Sequence, residues 1–227
     1  GERLGFVFPV HGWRVPRLVR SFISRLRLKT CGEEGSPDSK PFCYAVCTAG
    51  DSIGKTIDTL NKCLQANLQL QAMGISQPDS TYSLIMPESY VGLPFMDVDP
   101  SEKEKRKKEK AAQQLKAICE DLRVRKTGIS HLTEGPLPWF FTHVVGGFFE
   151  HVLITDKRFH VVEERCVKCG ICANVCPVGD ISGGKGKKPV WLHHDDCLTC
   201  FSCYHHCPHH AIEFGRQTQK KGQYYYK

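Results

Sequence analysis

The 227-residue chain has no apolar run that could cross a bilayer without interruption. Its most membrane-like stretch, Leu137 to Ile154, is broken by His143, Glu150 and His151 and reads as a buried or docking helix, so no membrane span is expected. Nor does the opening segment read as a secretory leader. Glu2 and Arg3 lead into Leu4 to Val10, which has a strand's length and composition and no small-residue cleavage site. Gly183-Gly184-Lys185-Gly186 lacks the longer spacing of a phosphate loop ending in Lys-Ser/Thr and reads as a turn. Finally, the cysteines are not spread along the chain as a secreted disulfide framework would require.

What is present is an ordinary globular composition, 41% hydrophobic and 24% charged, which excludes a wholly disordered or fibrous chain. Thirteen cysteines are far too many to be incidental. Five are scattered (Cys31, Cys43, Cys47, Cys63 and Cys119), those on apolar faces reading as core residues, and eight lie together between Cys166 and Cys207. Dense C-x-x-C runs in a chain of this length hold metal and need a compartment that keeps thiols reduced, so a cytoplasmic location is expected. The formal net charge of +7 suggests nucleic acid only while every cysteine counts as neutral. Eight thiolates around two iron cores of about +2 each bring the total to roughly +3.

Short apolar runs alternate with helical segments from residue 1 to about 98, as in a parallel α/β layer. Strands are expected at Leu4–Val10, Phe42–Thr48 and Tyr82–Met86. Pro16 opens one helix, and another carries Ile57, Leu60, Leu64 and Leu68. Asp99-Pro100-Ser101 caps a long helix with Ala112, Leu115, Ile118, Cys119 and Leu122 on one face. Its first turns are charged, but Glu102, Glu104 and Glu109 interleave the lysines, which makes a solvated face rather than a nucleic-acid surface. The composition shifts near residue 155, so three parts are expected: an α/β domain over 1–98, a helical connector over 99–155, and a metal-binding domain over 156–227.

Cys166, Cys169, Cys172 and Cys176, followed by Pro177, spell C-x2-C-x2-C-x3-C-P, and after twenty intervening residues Cys197, Cys200, Cys203, Cys207 and Pro208 repeat it. Three thiolates at such short separations wrap one face of a cubane, and the fourth corner lies beyond the reach of the same loop. In the two-cluster ferredoxin arrangement the last cysteine of each run ligates the other cluster. Cys166, Cys169, Cys172 and Cys207 are therefore expected to hold one [4Fe-4S] cluster, and Cys197, Cys200, Cys203 and Cys176 the other. Gly170 lets the backbone approach the sulfides. Structural zinc leaves the third cysteine and the Cys-Pro ending of each run unexplained. His193, His194, His205, His206, His209 and His210 flank the second run and read as surface groups, since cysteine fills every ligand position.

The whole chain resembles the flavodoxin-ferredoxin fusions. The resemblance is carried by Phe8-Pro9-Val10-His11-Gly12-Trp13 with Pro16, Thr48-Ala49-Gly50, Met86-Pro87-Glu88-Ser89-Tyr90, both cysteine runs, and the tail from Phe214 to Tyr224. It implies a partial flavodoxin-like parallel sheet, then a ferredoxin-type (β-α-β)2 domain with two clusters. It also implies FMN bracketed by His11, Gly12 and Trp13 and by Thr48, Ala49 and Gly50, with Trp13 either stacking on the flavin or serving as a hydrophobic cover. The Ser/Thr-Gly-rich loop that holds the FMN phosphate in that family is missing, so the first strand is expected to expose an apolar edge and the α/β part to be shortened.

These readings converge on an electron-transfer protein exchanging electrons with a flavin or with a redox partner protein. Two alternatives remain. One is a flavin-dependent oxidoreductase whose clusters feed FMN, and the other is a zinc-stabilised binding module.

Overall fold

A computed structural model describes residues 2–29 and 40–226. Cys31 lies outside the described residues. Close packing divides the chain into two units, residues 1–86 with 102–148 and residues 87–101 with 149–227. The stretch expected as a connector over 99–155 is thus shared between them. Most of it completes the α/β layer, and residues 87–98 join the cysteine-rich unit instead.

Among the described residues the first unit is built on a four-stranded sheet. Its strands β1 (Arg3–Pro9), β2 (Phe42–Ala49), β3 (Ser80–Ile85) and β4 (Ile129–His131) are parallel and stand in chain order. The fourth strand carries too few apolar residues to announce itself in the sequence. Because side chains alternate along a strand, β2 has two buried faces. Cys43, Ala45 and Cys47 meet Ile23 of α1 (Arg17–Arg25), Leu60 and Leu64 of α2 (Thr56–Ala66), and Leu70 of α3 (Leu68–Ala72). On the opposite face Tyr44 and Val46 join Tyr82 and Leu84 under α4 (Ser101–Arg123).

Two details differ from the sequence pattern. Leu68 begins a separate helix after Asn67, whose side chain accepts the amides of Gln69 and Leu70, and is 79% exposed. On α4 Ile118 of the expected stripe is buried and Leu122 is half-buried in the same cluster, but Ala111 takes the place expected for Ala112, and Ala112, Leu115 and Cys119 face solvent. The expected bare edge is present: β1 pairs only with β2 among the described residues, and Val7 is 68% exposed.

The second unit contains two antiparallel pairs, β5 (Phe159–Val161) with β8 (Ile212–Phe214) and β6 (Ile181–Gly184) with β7 (Lys187–Trp191). Phe159 is the hub of its aromatic core, with ring centroids 5.5 Å from Trp191, 5.3 Å from Phe201 and 4.7 Å from Phe214. Residues 87–101 are strapped on by the tail: the Lys221 ammonium donates to the carbonyls of Val91, Leu93 and Met96, and Gln217 donates to that of Gly92.

The two leucines that look alike in the sequence should separate on truncation. Leu64→Ala is expected to cost about 2–5 kcal/mol and Leu68→Ala no more than about 0.5 kcal/mol, read from urea unfolding midpoints.

Candidate metal centres

The duplicated cysteine runs fold as duplicated backbone. Lys168 (φ 55°) and Gly170 (φ 83°) adopt the left-handed region around Cys169, and Thr199 (φ 48°) and Phe201 (φ 58°) do so around Cys200. A one-turn helix follows each, α7 (Ile171–Asn174) and α8 (Ser202–His205). The lengths α5 (Pro138–Phe140) and α6 (Gly146–Phe148) precede them in the first unit. Three residues beyond each last cysteine, Gly179 (φ 66°) and His210 (φ 48°) repeat the left-handed turn. Such turns aim consecutive amides inward. The Asp180 amide donates to Cys176 Sγ at 3.3 Å and the Ala211 amide to Cys207 Sγ at 3.2 Å, a matched pair four residues past each last cysteine. The Thr199 amide donates to Cys197 Sγ at 3.4 Å.

The same conformation serves different side chains in the two halves. At Gly170 a Cβ would stand 2.9 Å from the Gly184 carbonyl carbon, so the β6–β7 hairpin can close over the first run only on glycine. At the matching position Phe201 accepts the left-handed strain because its ring, 1% exposed, fills the aromatic core.

The eight sulfurs gather in two hollows. One, of about 340 Å³, is lined by Cys166, Cys169 and Cys172 of the first run and by Cys207 of the second. The other, of about 310 Å³, is lined by Cys197, Cys200 and Cys203 of the second run and by Cys176 of the first, with Phe159, Trp191 and Phe201 as walls. Burial pushes the Cys197 thiol up to about 12 and raises those of Cys172, Cys200 and Cys203. Neighbouring cysteines act in the same direction. Thiolates grouped in this way call for a cationic partner. Among the described residues, no three His, Cys, Asp or Glu side chains converge on one ion-sized point. Beside the second hollow Asp180 and Asp156 are both buried, and burial together with Asp156 raises the Asp180 carboxyl, while His193 Nδ1 lies 2.8 Å from Asp156.

The histidines do not behave alike. His193, His194, His209 and His210 are exposed as expected and His206 is half-buried, but His205 is 4% exposed. Its Nε2 meets the Ser89 carbonyl at 2.7 Å, its Nδ1 accepts the Tyr224 amide at 3.1 Å, and burial lowers its pKa to about 4. The partners that bury it lie over a hundred residues away or in the tail, where no local pattern points to them. Of the scattered cysteines, Cys43 and Cys47 are core residues whose thiols burial pushes up to about 12, Cys63 is half-buried, and Cys119 is exposed.

The loops after β1 and β2 meet at the C-terminal end of the parallel sheet, the end at which open α/β sheets bind ligands. His11, Gly12 and Trp13 stand beside Thr48, Ala49 and Gly50, the Val10 amide donating to the Thr48 carbonyl at 2.8 Å. Residues 138–148 cover them. The Trp13 ring sits 4.8 Å from that of Phe141 and its indole donates to Ser52 Oγ at 3.1 Å. Thr142 Oγ1 accepts the Lys55 amide and donates to the Trp13 carbonyl. Trp13 is therefore a cover residue in this arrangement, and Lys107 reaches the Gly50 carbonyl at 2.6 Å. The His11 ring is held neutral by desolvation, its pKa lowered to about 4.

Residues 159–208 match the family described as the 4Fe-4S dicluster domain. A ferredoxin from Streptomyces griseus is 33% identical over 70 residues, 30% of this chain and 65% of that protein. A ferredoxin from Megasphaera elsdenii is 54% identical over 28 residues, 12% of this chain and 52% of that protein. An uncharacterized protein from Porphyra purpurea is 34% identical over 53 residues, 21% of this chain and 71% of that protein. The chain thus covers less than two thirds of the length of either ferredoxin. No solved structure matches the chain. Eight cysteines within 166–207 of a dicluster domain imply two [4Fe-4S] clusters. Among the described residues no helix is long and apolar enough to cross a membrane.

Two outcomes are expected. His11 binds its proton more weakly in the folded chain (about 4) than at its ordinary value (6.5). Its contribution should therefore be complete above pH 6.5 and fade as pH falls towards 4, by about 3 kcal/mol, and His11→Gln should flatten that slope in unfolding measured at stepped pH. Gly170→Ala should cost about 2–4 kcal/mol through strain and the hairpin clash, against about 1 kcal/mol for Gly179→Ala, whose added Cβ meets no atom, as read by thermal melts of the anaerobic holoprotein.

Proposed function

With a C-terminal domain that belongs to the 4Fe-4S dicluster ferredoxins, we propose that this protein carries single electrons to and from a redox partner protein. In this reading Cys166, Cys169, Cys172 and Cys207 hold one cluster and Cys197, Cys200, Cys203 and Cys176 the other. The observation that supports it is the lining of the two hollows, each with three cysteines from one run and the last cysteine of the other.

The clusters, when bound, supply reversible one-electron chemistry without bond making or proton transfer. The chain's own residues hold and tune them. Eight thiolates anchor the cores. The amides of Asp180, Thr199 and Ala211, directed at sulfur, stabilise added negative charge and so favour the reduced state. Phe159, Trp191 and Phe201 exclude water from one side of the second hollow. The Trp13 ring that a flavin could stack on is already packed against Phe141, with centroids 4.8 Å apart, which favours electron exchange with a separate partner.

Anaerobic analysis for iron, acid-labile sulfide and flavin tests the proposal. About eight irons and eight sulfides per chain are expected. Colourless protein holding zinc would overturn it, and a stoichiometric releasable FMN would favour the flavin-dependent oxidoreductase. Cys176→Ala should remove the cluster of the second run and spare that of the first, and Cys207→Ala should do the reverse, as resolved by paramagnetic resonance of the reduced protein.

A further inference from the structure

Two loops with the same backbone present opposite surroundings. Val167, Lys168 and Cys169 correspond residue for residue to Leu198, Thr199 and Cys200. The first three are all exposed, Val167 by 59%. Their counterparts are covered, with Leu198 at 8% and Thr199 at 2% exposure and Cys200 half-buried. Thr199 is fastened inward, its hydroxyl accepting the Thr155 amide at 2.8 Å and donating to the Thr155 carbonyl. Electron tunnelling weakens steeply with distance, so a duplicated frame that uncovers one sulfur edge and seals the other has a preferred point of exchange.

The rim of that point is basic. The turn between β6 and β7 packs onto the first run through the Gly186 amide, which donates to the Lys168 carbonyl at 2.8 Å, and through the close approach of Gly184 to Gly170. This brings Lys185 and Lys187 alongside Lys168. Lys188 is engaged by Glu163. Lys168, Lys185 and Lys187 make no ion pair among the described residues; the neighbouring acids are Glu164 and Glu163, the latter bonded to Lys188 and also within the field of Lys168.

We propose that the surface where Val167, Lys168 and Cys169 meet Lys185 and Lys187 is the electron-exchange port, shaped to receive the acidic face of a redox partner. The inference rests on the electron-carrier reading. In the exchange one electron leaves the reduced protein and the partner's acceptor is reduced by one, with no proton moved and no bond formed. The exposed apolar Val167 supplies the dry centre of the contact, and the lysines speed encounter and set orientation.

The experiment uses the anaerobically reconstituted, reduced holoprotein with the trianion tris(oxalato)cobalt(III) and the trication hexaamminecobalt(III) as oxidants, at low and high ionic strength. For the triple variant Lys168→Glu, Lys185→Glu, Lys187→Glu, the rate with the trianion should fall about tenfold or more at low salt and converge with wild type at high salt, while the rate with the trication rises. Lys220→Glu, an exposed lysine elsewhere, should change neither. As a readout independent of turnover, a purified acidic flavodoxin at low salt should protect Lys168, Lys185 and Lys187, but not Lys220, from acetylation. If the triple variant loses clusters, Lys→Gln replacements at the same positions should give a smaller drop of the same sign. Unchanged rates in a cluster-replete variant, or equal losses with Lys220→Glu, would overturn the port. Failure of wild type to take up and release electrons would instead overturn the carrier reading beneath it.

Discussion

A short loop can offer three sulfurs to a four-cornered core, and its geometry forbids it to offer the fourth. Much of the second unit follows from that limit. Each hollow is finished by a cysteine from the other run, so neither half of the duplication closes alone. The matched left-handed turns, the matched one-turn helices and the matched amide-to-sulfur bonds of Asp180 and Ala211 are two copies of one solution. With helices only four residues long, the strands β5 to β8 and the aromatic cluster around Phe159 form the rest of the scaffold.

Within that repeated frame the side chains diverge. Glycine at 170 admits a hairpin backbone, while phenylalanine at 201 fills a core. Lysine at 168 reaches solvent and threonine at 199 is bonded inward to Thr155. Identical backbone with unlike decoration lets two chemically similar centres differ in exposure and in local charge, both of which act on potential.

How much of this was legible in the sequence depends on how local the cause is. The cysteine spacing, the first three parallel strands and the burial of Cys43 and Cys47 follow from contiguous patterns and could be read directly. β4 is only three residues long and gains its place by pairing with β3, which no window over 129–131 reveals. The helix α4 carries apolar residues on more than one face, and only packing against Val46 and Tyr82 selects Ala111 and Ile118 for burial. His205 sits in a histidine-rich, polar-looking stretch, yet its partners are Ser89 and Tyr224. That β1 and β2 run into the loops carrying His11 and Gly50 is visible in the sequence, where each apolar run stops. Their cover, residues 138–148, is apolar enough to be taken for a helix that docks elsewhere.

The strap formed by Lys221 bears on the order in which this molecule can be made. Its ammonium ties down carbonyls 125 to 130 residues earlier in the chain, and His205 and Gln217 reach back 116 and 125 residues to the same stretch. When residues 87–101 leave the ribosome, none of these anchors has yet been translated. The segment must wait between β3 and α4 while the first unit is completed around it, and during that interval it is open to chaperones and proteases alike.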